Sequence, residues 1–195
     1  MSPILGVIAS STRQGLVSAN SYESIATYNI GAGGTTSVTF SSIPQTYKHL
    51  QLRGIAKGIA GSNNASLGIQ VNGDTSSNQA PFHQLYADGS TISASGGASS
   101  DGYTASLLGP VSASGQTTFA GFVIDILDYT DTNKYKTIRS LAGADFSGSG
   151  FVSLRSSFNK NSTSAITTFN IITYNSGGTA GFAQYSSFAL YGIKG

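Results

Sequence analysis

The sequence predicts an all-β protein: an antiparallel β-sandwich, jelly-roll-like, of about eight to ten strands, with an extended N-terminal arm. Three observations support this prediction. Apolar and polar residues alternate with the period of two expected of a half-buried strand, as at Leu67, Ile69 and Val71. Turn dipeptides such as Asn72-Gly73 end these runs. Helical periodicity, by contrast, is essentially absent.

The arm is predicted to cover residues 1–21, ahead of a β-sandwich domain at 22–195. It contains two small apolar groups, of which the first is Ile4, Leu5, Val7 and Ile8, followed by a polar stretch at 10–15 that is typical of a linker. These four side chains have no core of their own to enter. We therefore expect them to be the device that anchors the protein to a partner.

The first predicted strands, residues 25–30 and 36–40, are rich in β-branched and aromatic residues. The glycine-rich residues 31–34 between them predict a hairpin. Leu50 and Leu52 then alternate with polar neighbours, and residues 67–71 repeat the pattern. Residues 90–102 are almost entirely Ser, Ala, Gly and Thr, which leaves a surface loop and a weak edge strand as alternatives.

The strongest strand is predicted at 119–128, where apolar residues occupy both faces, as in a central strand. The chain returns over 134–141, and the remaining strands are predicted at 151–158, 166–174 and 182–193. One sandwich core covers only one face of the strand at 119–128. Its second face, with Val123, Asp125 and Leu127, is therefore the candidate subunit interface of a predicted homotrimer.

The composition argues against an enzyme. The 195 residues include no Cys, one Glu and two His, and charged residues make up 9%, against ~25% in an ordinary soluble domain. Without Cys there is neither a thiolate nucleophile nor a Zn–Cys site. A net charge of +2 does not favour nucleic acid, and no apolar run approaches the length of a membrane span. We expect no catalytic residue, cofactor or metal, and no nucleic-acid or membrane partner.

Three carboxylates, Asp125, Asp128 and Asp131, are the strongest candidates against that expectation. A period of two puts Asp125 and Asp128 on opposite faces of an extended strand, which disfavours a catalytic pair. Asp128, Asp131 and Asn133 supply oxygen ligands for Ca²⁺, although their spacing does not match an EF-hand loop. Ordinary turn chemistry accounts for the same residues, so the Ca²⁺ site stays open as an alternative.

The histidines and basic residues give weaker signals. His49 and His83 are too few for a metal site, and we expect them on polar strand faces or at a subunit seam. Lys134, Lys136 and Arg139 fall on one predicted strand. They predict either a small basic stripe or, more simply, solvated charges that protect an edge strand from aggregation.

Several long segments resemble virion structural proteins of tailed bacteriophages, notably phages of aquatic bacteria. The matching segments come from both ends and from the middle of the chain: residues 2–11, 22–27 with 37–44, 122–129 with 133–140, and 182–195. The resemblance implies a β-domain displayed on the virion surface and supplies no catalytic residue. It does not choose between capsid and tail.

The pairing of a short arm with one charge-poor β-domain leads to a capsid decoration (cement) protein as the first hypothesis. It would be synthesised in the cytoplasm of the host bacterium and placed on the virion surface, with the major capsid protein as its partner. The alternative is a receptor-binding tail-fibre or baseplate tip protein. That protein would attach to a tail or baseplate protein and recognise a host-surface glycan.

Overall fold

A computed structural model describes most of the domain and none of the arm before Ser21. The described residues are 21–59, 64–75, 80–88, 90–99, 105–112, 117–145, 150–158, 162–175, 178–179 and 181–195. Within them the chain forms thirteen strands and no helix. The strands are β1 (Tyr22–Asn29), β2 (Ser37–Phe40), β3 (His49–Ala56), β4 (Asn64–Val71), β5 (Ala80–Asp88), β6 (Thr91–Ser99), β7 (Ala105–Ser112), β8 (Ala120–Leu127), β9 (Thr137–Asp145), β10 (Gly150–Phe158), β11 (Phe169–Asn175), β12 (Gly178–Thr179) and β13 (Ser187–Ile193).

The strands form two antiparallel sheets. The large sheet has eight strands in the order β1-β13-β3-β8-β9-β10-β5-β6. The small sheet has the order β12-β11-β4-β7, and β2 also pairs with β11. No helix in the described ranges has the length and apolar character to cross a bilayer. The predicted all-β antiparallel sandwich is thus confirmed, and the large sheet is wide enough to present an extended surface.

The core lies between the two sheets. Leu50 and Leu52 of β3 face the core from the large sheet, and Leu67 and Ile69 of β4 face it from the small one, all fully buried. Each such side chain stabilises the fold by about 1.5–3 kcal/mol relative to its exposed state. Burial of both inner faces is what holds the sheets together, and it leaves the far face of the large sheet pointing outward.

The strand predicted at residues 119–128 is central in the sheet, as expected. β8 lies between β3 and β9, the fourth of eight strands in the sheet. Its inner residues Phe122, Ile124 and Ile126 are buried in the core. Its outer residues alternate with them and are only half-buried. The apolar character of both faces therefore has two causes: one face fills the core, and the other belongs to the outward surface.

The hairpin predicted from residues 25–40 is wrong. β1 pairs with β13 in the large sheet, whereas β2 pairs with β11 in the small sheet. Gly33 and Gly34 have φ values of 89° and 71°, a left-handed conformation that glycine adopts without strain. A Cβ at Gly34 would lie 2.5 Å from the carbonyl oxygen of Phe182. The glycines therefore carry the chain from one sheet to the other.

Apart from the two-residue β12, three strands were missed or left undecided by the sequence pattern. β6 lies in the stretch of Ser, Ala and Gly and is the edge of the large sheet. β5 starts at Ala80 beside Pro81, and β7 contains Pro110. Proline is expected at strand beginnings and edges, so it obscures a strand in sequence without preventing one. β5 and β6 complete the outward surface of the sheet.

Candidate interaction surface

The outer face of the large sheet is the feature that distinguishes this domain. Continuous antiparallel register aligns the outward residues of neighbouring strands into rows. One row crosses five strands, from β3 to β8, β9, β10 and β5, through Arg53, Val123, Leu141, Leu154 and Leu85. Every residue of this row except Arg53 is aliphatic. The outward face of an antiparallel sheet normally carries polar residues, so a row of four aliphatic side chains is unusual there.

Four neighbouring side chains on this face form an apolar strip, which we define as Leu85, Leu141, Val152 and Leu154. Each is between 50% and 54% exposed. Ile92 on the edge strand β6 lies beyond the strip and is 80% exposed. Covering the exposed half of the four strip residues would stabilise an assembly by roughly 3–6 kcal/mol before the costs of association. The strip is therefore a strong candidate for a contact surface.

A groove of about 610 Å³ lies across β9, β10, β5 and β6. Its apolar lining comes from Leu85, Leu154 and Ala94, and its polar lining includes His83 and Arg139. The groove thus shares two residues with the apolar strip. It combines aliphatic contact area with hydrogen-bond donors at its margin.

A polar network borders the strip on β3, β8 and β9. Gln51 Nε2 donates to Asp125 Oδ1 at 2.7 Å, and Arg139 Nη2 donates to Asp125 Oδ2 at 3.3 Å. Arg53 Nε in turn donates to Gln51 Oε1, and its guanidinium lies 5.1 Å from the ring centre of Tyr22. Both oxygens of Asp125 therefore have partners in its own chain. The exposed Arg139 presents a positive charge beside a carboxylate at the edge of the strip.

The structure brings the predicted interface residues together. Val123, Asp125 and Leu127 all lie on the outer face of β8, half-buried, in the middle of the sheet. The more exposed apolar side chains lie one to three strands away, in the apolar strip. Sequence analysis missed these because Leu141 and Leu154 alternate with polar residues in the way that core-facing residues do. Only the register shows which face they occupy.

The predicted Ca²⁺ ligands meet at one turn, but lysines already occupy the carboxylate. Asp128 follows β8 in a left-handed conformation with a φ of 47°. Lys134 Nζ donates to its Oδ2, and Lys48 Nζ lies 2.9 Å from its Oδ1. Asp131 Oδ1 accepts the backbone N–H of Asn133 at 2.8 Å. Within the described ranges, no group of three or more His, Cys, Asp or Glu is placed to hold a metal ion.

Lys134 and Lys48 also lower the pKa of Asp128. The hydrogen bond from Lys134, followed by that from Lys48, lowers the pKa of Asp128 from 3.8 to about 2, against the opposing effect of partial burial. A carboxyl whose pKa is lower in the folded state stabilises the fold at pH values above its unfolded pKa. That contribution is lost as the pH falls through the folded pKa.

We therefore expect Asp128→Asn to be less stable than the wild type at neutral pH. Between about pH 4 and pH 2, the wild type should lose the stability due to this carboxylate, so the two proteins should converge. Urea unfolding at fixed pH values measures this, because urea adds no ions that screen the pair. Unfolding curves that stay equally far apart from pH 7 to pH 2 would contradict the assignment.

The basic stripe predicted from Lys134, Lys136 and Arg139 does not exist. Lys136 is fully buried at the turn between β8 and β9. Its Nζ donates to the carbonyl oxygens of Lys134 at 3.0 Å and Thr163 at 2.7 Å, and to that of Asp131. Burial lowers the pKa of Lys136. The alternative of edge-strand charges is also wrong, since β9 lies inside the sheet between β8 and β10.

The two histidines are far apart. His49 Nδ1 accepts the backbone N–H of Asp128 at 2.9 Å, so it helps to hold the turn after β8. His83 is exposed on β5 and lines the groove. Three strands, β8, β9 and β10, separate β3 from β5 in the sheet. The structure therefore does not bring the histidines into one site.

The predicted anchor residues, Ile4, Leu5, Val7 and Ile8, lie outside the described residues.

Comparison of the chain with models of protein families, with curated proteins and with solved structures finds no match. The class of protein is therefore described by its fold and surface alone: an antiparallel β-sandwich whose large sheet has aliphatic residues on its outer face.

Proposed function

We propose that this chain is a non-enzymatic structural protein of a bacteriophage virion, most specifically a capsid decoration protein. The observation that supports an assembly role is the outer face of the large sheet. Aliphatic side chains there remain half-exposed in the isolated domain, where they contribute little to the stability of the monomer. In an assembly, burial of these side chains against a neighbouring protein would stabilise the complex.

The proposed attachment combines the arm with self-association. Ile4, Leu5, Val7 and Ile8 would bury against the major capsid protein, and strand addition to an edge of that protein would extend the contact. Three domains in a homotrimer would carry three arms, so their combined attachment exceeds that of one arm. The protein is made in the bacterial cytoplasm and ends on the virion surface.

Copy number separates this proposal from its alternative, a receptor-binding protein of the tail fibre or baseplate tip. Quantitative mass spectrometry of purified virions should find this chain in numbers comparable with those of the major capsid protein. A tail-tip protein would instead be present in a small fraction of that number. Copy numbers that match the tail proteins would reject the decoration role and favour the alternative.

A further inference from the structure

We infer that the apolar strip packs against the same strip of neighbouring copies around the rotation axis of the oligomer, with Leu154 nearest the axis. This inference rests on the self-association in the proposed function and names its contact surface. It moves the centre of the interface from Val123 on β8 to Leu154 on β10, two strands further along the sheet. The occupant of the strip is thus a second copy of this chain.

The size of the face fits an oligomer contact. Strands are ~4.8 Å apart, and successive outward residues on one strand are ~6.8 Å apart, so each outward residue covers roughly 33 Å² of the sheet plane. Three outward residues on each of β9, β10, β5 and β6 give roughly 400 Å² in projection. The accessible area is larger because side chains stand out from the plane. Three bordering residues of β8 raise the projected area to roughly 500 Å², and protruding side chains bring the accessible area closer to the ~800 Å² per partner of a standard interface.

The shape of the face also suits a second sheet. In the row next to the central leucines, Gly143 and Ala87 flank Val152, and in the central row Ala94 follows Leu85. Beside these small residues the aliphatic side chains stand out from the sheet, and the groove lined by Leu85, Leu154 and Ala94 is on this face. Sheet faces that pack on each other interdigitate such side chains over a separation of ~10 Å.

Charge favours a copy of the same chain over other partners. The margin of the strip carries both signs: Arg139 is more than half exposed, and Asp125 lies beside it. The two groups already pair with each other within the chain, so the margin carries no net charge that would repel a second copy. A uniformly acidic or basic partner would find no net opposite charge at this margin. The strip thus combines an apolar centre with a charge-balanced rim.

Leu154→Lys tests the inference in the full-length chain, with Tyr185→Lys as the matched control. Tyr185 is 72% exposed in the loop before β13, away from the strip. Sedimentation equilibrium should give the wild type and Tyr185→Lys a mass about three times 19.9 kDa, as in the proposed homotrimer. Leu154→Lys should weaken association by about tenfold or more, because it places a charge in the apolar centre. Circular dichroism checks that the variant is folded.

Disulfide trapping is a second test of the contact, and it does not require a charged substitution in the apolar strip. The chain contains no Cys, so Leu154→Cys introduces a single thiol. Mild oxidation should link Leu154→Cys chains into covalent pairs, whereas Tyr185→Cys should give few. A monomeric wild type at high concentration, an unchanged mass for Leu154→Lys, or no trapping at residue 154 would each overturn the inference. None of these results bears on virion copy number, so a failure here is distinguishable from a failure of the proposed function.

Discussion

Replacing Lys136 with Met is expected to destabilise the domain by about 3 kcal/mol, the largest effect of the single substitutions considered. Met keeps the length and much of the volume of the side chain but cannot donate a hydrogen bond. The carbonyl oxygens of Asp131, Lys134 and Thr163 would then lose the donor that joins them. These bonds connect the turn between β8 and β9 to the segment before β11. Their loss should therefore lower the free energy of unfolding of the whole domain.

Thermal and urea unfolding measure the effect of Lys136→Met. A loss of this size should lower Tm by roughly 6–12 °C in a domain of this length. Lys134→Met is the matched control, since it removes a lysine two residues away whose side chain is 53% exposed. The control should cost less stability, because Lys48 still pairs with Asp128 and the side chain of residue 134 stays in contact with water. Equal losses in the two variants would show that burial of Lys136 is not what stabilises the turn.

Deletion of residues 2–15 is expected to abolish incorporation into virions while leaving the domain folded. The core is built from residues of the β-sandwich domain, and the arm is predicted to be an extended segment that does not enter it. The melting profile should therefore be unchanged. The deletion removes four aliphatic side chains, each worth about 1.5–3 kcal/mol on full burial, less the entropy of ordering the arm. Particles assembled with the truncated protein should lack it.

A full-length variant separates apolar burial from arm length. Replacing Ile4, Leu5, Val7 and Ile8 with Ser keeps the arm and removes its first apolar group. If burial provides the attachment, this variant should also be absent from particles. If either variant decorates virions at the wild-type copy number, the anchor lies on the β-domain, and the outer face becomes the surface to examine.

The elements with clear periodicity could be predicted from the sequence. Residues 119–128 are apolar on both faces, and that pattern alone indicated the central strand β8. The pairing of β1 and β2 could not be predicted, because glycines at 31–34 permit a hairpin and a crossing between sheets equally well. β5 was obscured by Pro81 and by a mixture of polar and apolar residues on both of its faces.

The surface was harder to predict than the fold. Alternation identifies two faces of a strand, but it does not say which face meets the core when both carry aliphatic residues. Val123, Asp125 and Leu127 were identified because β8 has apolar residues on both faces. Leu141 and Leu154 alternate with small or polar neighbours as core-facing residues also do, and their exposure shows that they lie outside the core. The burial of Lys136 depends on Thr163, 27 residues away, which no local pattern reveals.

Reconstruction of the virion by electron microscopy would locate this chain on the particle. If the chain is a capsid decoration protein, density for this β-sandwich should lie on the outside of the capsid, in threefold groups. Density for the arm should continue from Ser21 into the major capsid protein. The decoration role is wrong if the capsid carries no such density and the sandwich is found only at the tail tip or is absent from the particle.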